Sequence, residues 1–117
     1  LSHLTLLTEA LRSLGADPTA QTPAADIACV ACAGFVSVVT DPRTSLAQSL
    51  EAVLLYELAD SEGWELLLEV ATAFDQQGMV DGFLEARAQQ GEHLRLVRGW
   101  LHGYTWRDAN LELPGFR

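Results

Sequence analysis

RTSLAQSLEAVLLYELADSEGWELLLEVATAFDQ, residues 43–76, carries apolar side chains at Leu46, Leu50, Val53, Leu54, Trp64, Leu68 and Ala71. The spacings are mostly three and four, so these side chains share one stripe of a helix. The pattern predicts one long helix over about 43–76, the longest in the chain, with Gly63 as a point where it kinks. Glu62, Glu65 and Glu69 fall on the other side and predict a solvated face. Glu57 breaks this division. It lies on the apolar stripe, where an unpaired carboxylate costs several kcal/mol or takes up a proton.

The next segment answers it. QQGEHLRLVRGWL, residues 89–101, ends a second periodic run that begins near Val80 and puts Phe83, Ala86, Val97 and Trp100 on one face. Gln90 and His93 share that face, three residues apart and therefore neighbours on a helix. DQQGMVDG between the two runs reads as a turn. A fold-back about residues 74–76 sets residue 57 opposite roughly 91–95, which brings Glu57 near His93. His3, beside Leu7 and Ala10, is a further polar group on an apolar face. Glu51 follows Leu50 directly, and a small rotation of the helix would turn it inward in place of Glu57.

Two shorter helices precede these. Leu4, Leu7, Leu11 and Leu14 mark one over residues 1–14, ended by Gly15. Thr22 and Pro23 read as the cap and first position of another, over about 23–39. ADIACVACAGFVSVV is apolar almost all round, which predicts a helix buried on most sides, with Cys29 and Cys32 as packed thiols. The tail, residues 102–117, keeps little periodicity and reads as irregular. No alternation of strand type persists. The expectation is one all-α domain, 1–117, an antiparallel helical bundle with an additional buried helix near 23–39.

Composition narrows the function. The chain has 117 residues, 49% of them hydrophobic, with 16 acidic and 7 basic side chains for a formal charge of −9. That charge repels phosphate backbones and anionic lipid heads, so neither nucleic acid nor a membrane is the expected partner. No apolar run is expected to reach the roughly 20 residues of a spanning helix, and no signal-peptide pattern opens the chain. Two cysteines are too few for a secreted disulfide scaffold. These features predict a cytoplasmic protein. The aromatics Trp100, Tyr104, Trp106 and Phe116 predict either a cover over a bundle end or an oligomer contact, with a homodimer as the expected assembly.

DPRTSLAQSLEAVLLYELADSEGWELL and GEHLRLVRGWL resemble a bacterial branch of the ferritin-like helical bundles. The resemblance spans about residues 1–102. In that family a Glu from each of two helices and a Glu-x-x-His from each of the other two hold a pair of iron or manganese ions. It implies that Glu57 is the lone Glu of a third helix, that Gln90 and His93 occupy the Glu-x-x-His of a fourth, and that His3 is the His of a second. Separations of 33 residues from Glu57 to Gln90 and 36 to His93 suit that geometry. Gln90 stands where the bridging carboxylate belongs, and neutral Gln is a poor ligand for a hard cation. Two functions follow as expectations: a weak or incomplete di-metal site for iron or manganese, or a metal-free helical protein that acts by oligomerisation.

Overall fold

The computed structural model describes residues 2–111, which form four helices in the order α1 (His3–Ser13), α2 (Pro23–Thr40), α3 (Leu46–Ala73) and α4 (Gln77–Asp108). No strand occurs among the described residues, so the fold is all-α. Local chemistry accounts for the helix starts. The Ser2 hydroxyl accepts from the Thr5 N–H, and the Thr22 hydroxyl accepts from the Ala25 N–H just after Pro23. At α3 the cap is reciprocal: the Ser45 hydroxyl accepts from Gln48 N–H at 3.2 Å, and the Gln48 side chain accepts from Ser45 N–H at 2.9 Å. Residues 41–44 lie outside α3, because the Asp41 carboxylate holds the Arg43 N–H and guanidinium in a local turn.

The core lies between α3 and α4. Trp64, Leu68 and Ala71 from α3 pack with Val80, Phe83 and Ala86 from α4. Trp64 and Phe83 meet with ring centroids 5.9 Å apart. The connection is short, with Asp75 in the left-handed region at φ 55° turning the chain. Leu6, Leu7 and Ala10 of α1 cover the cluster from one side. α1 comes close because Gly82 has no side chain: a Cβ there would lie 2.9 Å from the Leu6 Cδ1.

Several expectations are corrected. α2 is a helix, but none of its residues is buried, and it touches the remainder of the molecule through α3. Within a single chain, an apolar helix is buried only if other elements are there to surround it. Here α1 is engaged elsewhere, against α4. Cys29 is accordingly exposed and Cys32 half-buried, not two packed thiols. By length and composition α2 also meets the measure of a membrane-crossing helix, with a mean hydropathy of 1.7 over its 18 residues, contrary to the expected absence of such a run. Finally, α4 continues through residues 102–108, which read as irregular in sequence. Gly99 and Gly103 each cost a helix up to about 1 kcal/mol, yet no proline interrupts, and Gly103 is buried. The remainder of that tail, 112–117 with Phe116, lies outside the described residues. α3 runs unbroken across Gly63.

Candidate functional site

Of the polar residues singled out above, Glu57 and Gln90 meet in the α3–α4 contact, a different pairing from the one expected. Gln90 is the most deeply buried polar side chain among the described residues, 1% exposed. Its amide Nε2 donates to the Glu57 backbone carbonyl at 3.1 Å and to the Glu57 carboxylate. Glu57 is half-buried. The carboxylate on the apolar stripe thus finds its partner in an amide, and the amide is satisfied by charge and carbonyl together.

His93 does not meet Glu57 inside the helices. It is exposed, and its ring stands 6.4 Å from that of His3. The reason is angular. Three residues along a helix turn by about 300°, so Gln90 and His93 diverge by about 60° around the axis, and a contact only two helices thick covers one of them. His3 is held at this edge from both sides. Its Nε2 lies 2.8 Å from the Gln89 Oε1, and its ring meets Trp64 edge-on at 5.0 Å. Gln89 was not anticipated, since it sits off the apolar face and its role depends on where α1 docks.

Glu51 is exposed and does not take the place of Glu57. It borders a groove of about 560 Å³ between α2 and α3, with Phe35, Val38, Ala52 and Leu55. Glu65 is half-buried rather than solvated, because Arg87 of α4 donates to both its oxygens at 3.1 and 3.2 Å. Glu92 is exposed as expected, and the Arg95 guanidinium beside it holds its carboxyl below the usual range. Tyr56, one residue before Glu57, leans on Phe35 at 6.2 Å. Partial burial, and then the Asp60 carboxylate, push its phenol up.

Among the described residues no three His, Cys, Asp or Glu side chains come together in a way that could hold a metal ion. Chemically the centre is a donor–acceptor lock between two helices, flanked by a pair of histidines at its rim. A second feature lies at the α3–α4 turn: an apolar cleft of about 440 Å³ bounded by Leu7, Leu11, Leu14, Val70, Phe74 and Met79. The chain matches no protein family, no curated protein and no solved structure.

Proposed function

We propose that this chain is an antiparallel helical bundle of ferritin-like type that works by association and needs no metal in its centre. The observation that carries this reading is the Gln90–Glu57 pair. In a metal centre the carboxylate faces the ion. Here its oxygen is engaged by an amide N–H from the facing helix, and the residue that would bridge two ions is neutral. Glu51 and His93 are turned outward, which supports a structural role for the polar core.

One observation favours a second reading. His3 and His93 approach each other at the rim, and two imidazoles are a start on a weak iron or manganese site.

Metal analysis of protein purified without chelator, followed by iron and manganese titration, separates the two. The proposal expects fewer than about 0.2 ions per chain, whereas a working site gives a stoichiometric ligand set and about one. The Gln90→Glu variant sharpens the comparison. It should lose stability and gain no ion, because it buries a second carboxylate beside the first. A rise in metal affinity would overturn the proposal.

A further inference from the structure

The total surface left uncovered is large for a chain of this size. A folded protein of 12.7 kDa should expose about 6,200 Å², but this one exposes 8,477 Å². Its radius of gyration is 17.4 Å, against about 13 Å for a compact domain of that length. The excess, about 2,300 Å² per chain, falls within the roughly 1,000–2,500 Å² that each member of an obligate homodimer buries, whereas a standard interface needs only about 800 Å² per partner.

α2 and the side of α3 beside it carry a large share of the exposed apolar side chains. Ile27 is 71% exposed, Val30 76% and Val36 58%. On α3, Leu55 and Leu66 are more than half exposed. The groove between the two helices, beside Phe35 and Leu55, is open to a side chain from outside. Charge selects the α2 part of this surface. The chain carries −9 overall, but Asp26 is the single charged residue in α2. Two copies repel least where they meet through this helix.

We infer that α2, together with the adjoining leucines of α3, is the face through which two copies of this chain associate, each chain's α2 being covered by the other. The inference rests on the reading of the protein as one that acts by association, and it names the surface.

A lipid bilayer is the competing occupant, and the surroundings of α2 disfavour it. At 1.5 Å per residue its 18 residues span about 27 Å, enough only for a hydrocarbon core at the thin end of the range. Asp26 and Asp41 stand at its two ends, and it carries no Trp or Tyr to sit at an interface. The exposed leucines of α3 alternate with Glu51, Glu62 and Glu69, which could not follow them into hydrocarbon.

The test is sedimentation equilibrium of the full chain from low to high micromolar, beside the variant Ile27→Asn/Val30→Lys. The variant lowers the net negative charge, so any weakening of association cannot come from overall repulsion. Wild type should be dimeric, and the variant's dissociation constant should rise at least about 100-fold, with helical circular dichroism retained. Alkylation of Cys29 provides a second readout on the unaltered chain. The rate should fall at least tenfold between concentrations below and above the dissociation constant, because the exposed thiol becomes covered. An intact dimer in the variant, with Cys29 alkylated equally fast at every concentration, overturns the choice of surface while leaving association standing. A wild-type monomer throughout overturns both. Flotation of the wild type with neutral phosphatidylcholine vesicles would overturn the second copy in favour of a bilayer.

Discussion

Gln90 contributes little by its own hydrogen bonds and much by what it prevents. Each net bond is worth about 1 kcal/mol, but a buried acceptor left without a donor costs about 1–3 kcal/mol. Gln90→Leu strips the donor from the half-buried Glu57 and should lower unfolding free energy by about 1–3 kcal/mol in urea titration. Glu57→Gln keeps an acceptor in place and should cost less than half as much. The pH dependence of Gln90→Glu has a definite sign. A carboxyl buried beside Glu57 has its folded pKa raised above the unfolded value of about 4.3. Its penalty is therefore absent below about pH 4 and grows as pH rises, so the gap between variant and wild type should widen from pH 4 to pH 7. An equal gap at both would show that the new carboxyl stays solvated. Trp64 is the counterexample to full satisfaction: its indole Nε1 is buried without a hydrogen-bond partner among the described residues.

At the scale of an element, the glycines of α4 separate propensity from packing. Gly91 has open space around its Cβ position and Gly82 faces Leu6. Replacing a helix-interior Gly by Ala gains about 0.5–1 kcal/mol when nothing intervenes. Gly91→Ala should realise that gain. Gly82→Ala should fall short of it, since the new methyl displaces Leu6 from the α1–α4 contact. Thermal melts of the two single variants, compared at equal helicity, would show the difference, and identical gains would mean that α1 does not hold its place. The α2–α3 connection carries the acid-sensitive pair. Arg43 holds the Asp41 carboxyl low through its side-chain bond and then its backbone N–H. A lowered pKa stabilises above the unfolded value and is lost as pH falls through the lowered one. Asp41→Asn should therefore flatten the acid limb of the stability curve below about pH 4, by a small amount because the pair is exposed.

For the whole molecule, electrostatics and burial pull in opposite directions. An apolar face of the kind α2 presents favours association, while nine net negative charges oppose it. Salt screens the opposition, with a Debye length of about 10 Å at 0.1 M. Acid removes it as the chain nears its isoelectric point of about 4.5. Self-association should strengthen from 0.02 to 0.3 M salt and from pH 7 to pH 5, by sedimentation equilibrium. Weakening along either axis would mean that ion pairs, not apolar contact, hold the copies together.

The helices themselves were legible in the chain, because caps and periodicity act over a few residues. Thr22–Pro23, the stripe from Leu46 to Ala71 and the turn before Met79 each state their own local geometry. That Glu57 requires a partner on the next helix was also legible, since a carboxylate on an apolar stripe cannot be left alone. Which side chain answers it was not. Gln90 and His93 differ by a fraction of a turn, and only the docking of α3 on α4 decides that the amide goes inside and the imidazole to the rim. The exposure of α2 was equally out of reach. Hydropathy records what a helix would gain by being covered, and whether anything covers it depends on how many other elements the chain has left to spend.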